Sequence, residues 1–263
     1  MAIELGNYLT THIKRWLLRT TVGLYTRDWL GVPRVIGSAV CLECASGFSL
    51  LTAAHVLAST PKRGLYLRPG QKDDALISLN HCRAAAMHEE GRELDLAMIL
   101  LNSDITDRMH SETYWLSAKD ILDDEESLED QLLLVFGYPV ERFALNPIRH
   151  ELVSRALLYV TTLYEGERGP WDEDETYTAQ YAVDLDFSPQ SPVGTVGQKV
   201  KQPTPKGLSG GGIWILAESR ESPVPIVLVG IQHRWHKILQ SLRGTRIVGL
   251  TGEITPVQRK ANN

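Results

Sequence analysis

Cysteine is scarce in this chain of 263 residues, which has three: Cys41, Cys44 and Cys82. A small, odd number of cysteines argues against a disulfide framework and indicates a reducing, cytoplasmic compartment. Two residues separate Cys41 from Cys44, and His81 precedes Cys82, but structural zinc sites need tighter paired spacing at both ends. We therefore expect the cysteines to pack inside hairpins, with no metal ion and no disulfide.

The sequence also lacks an excess of positive charge and long apolar runs. Its 27 Lys and Arg residues against 32 Asp and Glu residues leave a net charge of −5, which excludes a global positive field for a phosphate backbone. No apolar run reaches the roughly 18 residues of a membrane-spanning helix, and the N-terminus has no apolar core followed by a small-residue cleavage site. We therefore expect neither nucleic acid nor a membrane as a partner.

The sequence does contain a long series of short β-type runs. Turn residues separate these runs without long helical patterns between them, which is typical of antiparallel barrels. The pattern predicts an all-β protein built from two six-stranded antiparallel β-barrels packed face to face. The runs begin at Thr20, Arg34, Phe48, Gly64, Ala75 and Leu94 in the first half and at Leu132, Leu152, Thr176, Gly212, Pro225 and Thr245 in the second.

Composition predicts how one domain, residues 1–263, is divided along the chain. Apolar residues at helical spacing predict a short N-terminal helix within 1–19 that packs on the body of the protein. The first barrel is expected over about 20–110, and a polar, acidic connector over 111–130. The second barrel is expected over 131–255.

One serine stands among four glycines in the segment Lys206–Trp214. Glycine lets a loop turn sharply and aim its N–H groups at one point, so Ser209 is a candidate nucleophile. The N–H groups of Gly207 and Ser209 would then bind the oxyanion that forms when an acyl carbonyl becomes tetrahedral. An ordinary surface turn is the alternative interpretation of this segment taken alone.

A serine nucleophile needs a base, and the base needs a group to orient it. His55 is the best placed of eight histidines, because it follows an apolar strand and two small alanines that let the backbone pass close to its neighbours. Asp95 heads an almost wholly apolar strand, so its charge must find a partner, and an imidazole N–H would satisfy it. Taken singly, a core histidine and a structural cap are the simpler explanations.

Taken together, these segments resemble the trypsin/chymotrypsin-like serine proteases, especially the disulfide-free bacterial branch that includes the HtrA-type proteases. The residues that carry the resemblance are T-A-A-H at 52–55, D-L-A at 95–97 and G-L-S-G-G at 207–211. They occur in the family's order, His then Asp then Ser, which differs from the order in subtilisins and α/β-hydrolases. The resemblance extends over most of the chain.

The resemblance implies a catalytic triad and a reaction. Ser209 would be the nucleophile, His55 the general base and then acid, and Asp95 the orienting carboxylate, with the N–H groups of Gly207 and Ser209 as the oxyanion hole. The implied reaction is hydrolysis of peptide bonds in a protein or peptide through an acyl-enzyme, without a metal or an organic cofactor. The family's specificity pocket would fall near Gln232 and His233.

The chain departs from the secreted digestive members at Leu208, where they have an aspartate that receives a newly cut N-terminus. A leucine cannot accept that ammonium group, so this route of activation is excluded. We therefore expect a regulated intracellular protease of a bacterial signalling or defence system, controlled by a partner protein or a loop rearrangement in 188–206. The alternatives are a catalytically silent binding module and a hydrolase of esters or small amides.

Overall fold

The computed structural model describes residues 12–60, 64–68, 76–89, 92–109, 113–122, 127–146, 151–166, 181–187, 204–216 and 225–247. This part of the chain is mostly β-strand, with three short α-helices: α1 (Lys14–Thr20), α2 (Ala54–Ala58) and α3 (Ser103–Met109). The predicted N-terminal helix corresponds to α1, and residues 1–11 lie outside the described chain. Leu17 of α1 is fully buried, and Trp16 packs edge-on against Tyr114 at 5.2 Å, so the helix is anchored on the body of the protein.

The first half forms a seven-stranded antiparallel sheet in the order β5-β4-β1-β2-β3-β7-β6. Apolar side chains of these strands form a buried cluster that includes Leu24, Leu50 and Ile99. The strands are β1 (Thr21–Arg27), β2 (Pro33–Cys44), β3 (Gly47–Ala53), β4 (Tyr66–Leu67), β5 (Ile77–Ser78), β6 (Arg83–Glu89) and β7 (Arg92–Leu100).

The second half forms a six-stranded antiparallel sheet in the order β11-β8-β13-β14-β15-β12, and β9 pairs with β10 in a separate two-stranded sheet. A second buried cluster, with Val135, Leu185 and Val227, belongs to the larger sheet. The strands are β8 (Leu133–Gly137), β9 (Phe143–Asn146), β10 (Glu151–Ser154), β11 (Leu157–Thr161), β12 (Ala182–Asp186), β13 (Gly212–Leu216), β14 (Ile226–His236) and β15 (Ser241–Arg246).

A third cluster of buried apolar side chains joins the two sheets. It brings Val40 and Leu51 from the first sheet together with Phe136, Trp214 and Ile231 from the second. Burial of large apolar and aromatic side chains is the main driving force for such packing. The two halves therefore share a core, which fixes how their loops meet.

The two curled antiparallel sheets resemble the trypsin-like two-barrel fold, and the predicted fold class is confirmed. The first sheet has one strand more than the six predicted, because β6 pairs along β7. The proposed domain boundaries stay a prediction, and the acidic connector is described only at 113–122 and 127–130. No helix in the described ranges is long and apolar enough to cross a membrane.

Candidate active site

His55 stands in the first turn of α2, directly after β3 ends at Ala53. Its imidazole is 47% exposed, whereas the alanines before it are buried. Its backbone N–H donates to Asp95 Oδ1 at 2.9 Å, and its ring Nδ1 lies 2.9 Å from Asp95 Oδ2. Because an ionised carboxylate only accepts hydrogen bonds, Nδ1 carries the hydrogen and the lone pair of the neutral ring lies on Nε2.

Asp95 occupies an irregular position in β7. Its φ of 49° lies in the left-handed region, which a residue other than glycine adopts only when its surroundings hold it there. The β6–β7 register shifts between Ala86 and His88, opposite this stretch, while Leu94 and Leu96 on either side are buried. The interrupted pairing turns the carboxylate out of the apolar sheet and toward His55.

The Asp95 carboxylate is surrounded by two histidines. Burial by itself raises the pKa of Asp95, but the hydrogen bonds and positive potential of His233 and His55 outweigh burial and hold the pKa well below its usual range. Asp95 is therefore ionised at neutral pH. An ionised carboxylate fixes the ring orientation of His55 and would stabilise its imidazolium form.

Ser209 lies on the loop before β13, on the side of the second sheet that faces the first. Gly37 of β2 lies closely between this loop and α2. A Cβ added to Gly37 would be 2.9 Å from the Ser209 carbonyl oxygen and 2.7 Å from the side chain of Val56, the residue after His55. The Ser209 hydroxyl donates to the carbonyl oxygen of His233 at 3.4 Å, and within the described chain it has no hydrogen bond to His55. The structure thus joins His55 directly to Asp95, with Ser209 on an adjacent loop and its hydroxyl on a different acceptor.

Two backbone N–H groups of the serine loop, residues 207–211, have no hydrogen-bond acceptor within the described ranges. They are those of Gly207 and Ser209, the pair that the sequence predicts as oxyanion donors. Backbone N–H groups in folded proteins are almost always paired. Two donors without an acceptor on one loop are therefore available to a ligand. The other N–H groups of 207–211 donate to carbonyl oxygens: Leu208 to Pro205 at 2.8 Å, Gly210 to Gln232 at 2.7 Å and Gly211 to Leu208 at 2.7 Å.

The carbonyl groups of the same loop are held by donors from neighbouring segments. Lys206 O accepts from the N–H of Val140 at 2.8 Å. Ser38 of β2 donates its hydroxyl to Gly207 O at 3.2 Å and its N–H to Ser209 O at 2.8 Å. In a trans peptide the N–H points opposite to the C=O, so the hydrogen bond from Val140 to Lys206 O also sets the direction of the Gly207 N–H.

Gln232 and His233, the predicted pocket residues, lie on β14 beside the serine loop. Gln232 is 1% exposed, and its side-chain amide donates to Arg234 O at 3.1 Å. The His233 side chain is also 1% exposed, and its Nδ1 lies 3.2 Å from Asp95 Oδ2. A pocket role for either residue stays a prediction.

Sequence reasoning missed Ser38 at this site, and it missed the contact between His233 and Asp95. Ser38 gave a weak signal, since it is a polar residue inside an apolar strand, but its partner Gly207 lies 169 residues away along the chain. The approach of His233 to Asp95 gave no signal, because it depends on a break in the strand pairing. The predicted hairpin packing of the cysteines fits the burial of Cys41 on β2, where burial raises the pKa of its thiol.

No family model matches this sequence, and no curated protein matches it. Among solved structures, a Sesbania mosaic virus chain is similar, from work on the coupled folding and binding of the intrinsically disordered VPg protein. It is 13% identical, with a TM-score of 0.47, over 86% of this chain and 85% of that one. The tobacco vein mottling virus protease is 8% identical, with a TM-score of 0.48, over 89% of this chain and 79% of that one. Similarities at this level show nothing about the activity of this protein.

Proposed function

We propose that this protein is a serine endopeptidase that hydrolyses peptide bonds through an acyl-enzyme. The observation that carries the proposal is the pairing of His55 with Asp95. The carboxylate accepts both the backbone N–H and the ring Nδ1 of His55, which leaves Nε2 as the proton acceptor. The N–H groups of Gly207 and Ser209, which have no acceptor among the described residues, support the proposal independently. Acyl transfer needs hydrogen-bond donors for the developing oxyanion.

The proton steps follow from this arrangement. As Ser209 Oγ attacks the scissile carbonyl carbon, its proton passes to His55 Nε2 while the carbonyl oxygen accepts hydrogen bonds from Gly207 and Ser209. His55 then gives the proton to the leaving amine, and the acyl group stays on Ser209. A water molecule, deprotonated by His55, attacks the acyl carbon and releases the acid, while His55 returns the proton to Ser209 Oγ. Asp95 remains ionised throughout.

A fluorophosphonate probe tests the nucleophile, because only an activated serine reacts with it. We expect labelling of the wild type and none of Ser209→Ala, with Ser103→Ala, an exposed serine on α3, labelled like the wild type. Peptide-library cleavage read by mass spectrometry then separates an endopeptidase from a hydrolase of esters or small amides. Labelling without peptide cleavage would support the ester or amide hydrolase instead.

A catalytically silent binding module is the second candidate. One observation favours it, since the Ser209 hydroxyl donates to the carbonyl of His233 and not to His55. In a peptidase this contact is a resting state that substrate or a partner protein displaces, and catalytic hydrogen bonds often tighten only on substrate binding. Absence of labelling, even with cell extract added, would select the binding module.

Substrate choice and biological setting rest on sequence. The segment before Ser209, from Lys199 to Lys206, contains no acidic residue, so no counter-ion for a Lys or Arg side chain of the substrate is evident there. Gln232 and His233 remain the proposed pocket residues for a polar or acidic side chain. The cytoplasmic location, the regulatory partner protein and the place in a bacterial signalling or defence pathway are proposals of the same origin.

A further inference from the structure

Two arginines lie opposite each other at the end of the small sheet formed by β9 and β10. Ser154 pairs with Phe143 in this sheet, and the next residue, Arg155, donates its N–H to Arg142 O at 3.1 Å. Residues opposite each other in antiparallel strands place their side chains on the same face. Arg142, which is half-buried, and Arg155, which is exposed, therefore form an arginine pair on one face of the sheet.

The Arg142 side chain is held close to Arg155 by a hydrogen bond. Its Nη1 donates to the carbonyl oxygen of Ala156, the residue after Arg155, at 3.4 Å. Burial lowers the pKa of Arg142, and the positive charge of Arg155 lowers it further, as expected for two guanidinium groups that are near each other. A guanidinium has five N–H donors in a planar fork, so Arg142 keeps donors for a second acceptor.

No acidic side chain of the described residues forms an ion pair with Arg142 or Arg155. The carboxylate of the neighbouring Glu141 accepts the N–H of Thr204 at 3.1 Å. Like charges directly opposite each other in a sheet lower its stability, so the arginine pair has a cost that a bound anion would remove. The planar fork of a guanidinium matches the paired oxygens of a carboxylate or a phosphate.

The arginine pair lies near the proposed oxyanion donor Gly207. Arg142 is the last residue of a 3₁₀ turn, Val140–Arg142, whose first residue donates its N–H to Lys206 O at 2.8 Å. A Cβ added to Gly207 would be 2.9 Å from Val140. Because a 3₁₀ turn rises only about 2 Å per residue, the backbone of Arg142 is about 10 Å from Gly207. An extended peptide covers that distance in about three residues.

We propose that Arg142 and Arg155 bind an acidic side chain of the peptide substrate, within about three residues of the scissile bond. This inference rests on the proposed peptidase function and deepens it, because it gives the substrate class: a peptide with Asp or Glu near the cleaved bond. Lys206, exposed next to the serine loop, is a further positive charge nearby. Since the whole chain carries a net charge of −5, a local positive site attracts an acidic segment that the rest of the surface repels.

Matched peptides test this preference. In one peptide that the library shows to be cleaved, each of about three residues on either side of the scissile bond is replaced in turn by Glu and by Gln. For the wild type we expect kcat/KM to be about three- to tenfold higher with Glu than with Gln at one of these positions. Arg142→Gln and Arg155→Gln should abolish this difference, and Arg155→Lys, which keeps the charge, should retain part of it. Arg83→Gln, at an exposed arginine on β6, should leave the difference unchanged.

Added sodium chloride should reduce the difference between Glu and Gln peptides, because salt screens an ion pair that solvent reaches. Equal kcat/KM for Glu and Gln at every position would overturn the inference. A preference for Glu that survives when both arginines are replaced by Gln would also overturn it. Thermal unfolding by circular dichroism identifies any variant that has lost its fold. If Arg142→Gln does so, the comparison of Arg155→Gln with Arg155→Lys remains, since Arg155 is exposed.

Inorganic phosphate separates this inference from the proposed function, because its binding needs no activity. At constant ionic strength, phosphate should raise the melting temperature of the wild type by about 1–3 °C and that of Arg155→Gln by less. If the wild type neither labels nor cleaves, the peptidase function fails, and a shift that depends on Arg155 still supports an anion site. If phosphate stabilises the wild type but Glu peptides are not preferred, the site binds a free anion and the inference about substrate is wrong.

Discussion

Ser38, in the first sheet, binds the serine loop of the second half of the chain. It is fully buried on β2, and both its hydroxyl and its N–H bond carbonyl oxygens of the loop, while its own carbonyl accepts from Thr52 Oγ1 at 2.7 Å. The hydroxyl also accepts from the N–H of Tyr138 at 2.9 Å. One serine therefore binds backbone groups on both sides of the proposed oxyanion hole.

We expect Ser38→Ala to cost about 1–3 kcal/mol in free energy of unfolding, because the buried N–H of Tyr138 loses its acceptor. The rate of fluorophosphonate labelling should also fall, since the Gly207 carbonyl loses its donor. Urea unfolding and labelling kinetics measure the two effects. Ser49→Ala is the matched control, a fully buried serine on β3 whose hydroxyl has no described hydrogen bond to the loop. Equal effects of both substitutions would show that Ser38 is only a packing residue.

Asp95 makes stability depend on pH in a defined direction. The two histidines hold its pKa below the usual range in the folded protein, whereas in the unfolded chain its pKa is about 3.9. A depressed folded-state pKa contributes stability above the unfolded pKa, and this contribution is lost as pH falls below it. We expect the difference in unfolding free energy between wild type and Asp95→Asn to shrink from pH 6 to pH 3. A constant difference, measured by urea unfolding, would contradict the low pKa.

At the scale of elements, the serine loop depends on glycine at one place above others. Gly210 has φ of +84°, and a Cβ there would collide with the carbonyl oxygen of Ser38 and the hydroxyl of Thr52. Gly31, in the turn between β1 and β2, has φ of +79° but no atom near such a Cβ. Both positions need a left-handed backbone, but only Gly210 lacks room for a side chain.

We expect Gly31→Ala to cost about 1–2 kcal/mol, the penalty for a side chain in the left-handed region. Gly210→Ala should cost about 2–5 kcal/mol, because overpacking adds to the same penalty. It should also abolish labelling of Ser209, whereas Gly31→Ala should label like the wild type. Thermal unfolding together with labelling checks both, and similar losses in the two variants would mean that the collision at Gly210 is relieved by movement of the loop.

Most strands were predictable from the sequence, and the exceptions have local causes. The apolar runs around β2, β3 and β13 alternate with clear turns, so their pattern was sufficient. β6 was not predicted, because Arg83 is followed by three alanines, which favour helices, and only pairing with β7 makes the segment a strand. The run predicted from Leu152 to Leu163 is two strands, β10 and β11, in different sheets.

The candidate site was predictable only where its signals are local. His55, Asp95 and Ser209 each stand in a segment whose composition marks it, and the structure brings the first two into direct contact. The contacts of Ser38 and His233 depend on how two sheets pack, which no nearby residue encodes. Bulges are equally hidden, since an extra residue in a strand leaves the apolar pattern almost unchanged.

At the scale of the whole molecule, the two sheets are linked by polar contacts as well as by their shared core. Thr245 of β15 donates its hydroxyl to the carbonyl of Leu94 at 2.8 Å, next to the His233–Asp95 contact. Each half therefore satisfies polar groups of the other. Such mutual dependence favours unfolding as one cooperative unit.

We expect amide hydrogen exchange to report this cooperativity. The most protected amides of β3 in the first sheet and of β14 in the second should exchange with the same free energy of opening and the same dependence on urea. Exchange measured by mass spectrometry at several urea concentrations provides the comparison. A sheet that opens at a distinctly lower free energy would show that the halves are independent.

Leu208 is fully buried immediately before the proposed nucleophile. A leucine there offers no carboxylate to a newly cut amino group, so an ion pair of that kind cannot hold the serine loop. In the proposed peptidase, the geometry around Ser209 would then depend on contacts already made inside the folded chain, such as those of Ser38, rather than on a new chain end.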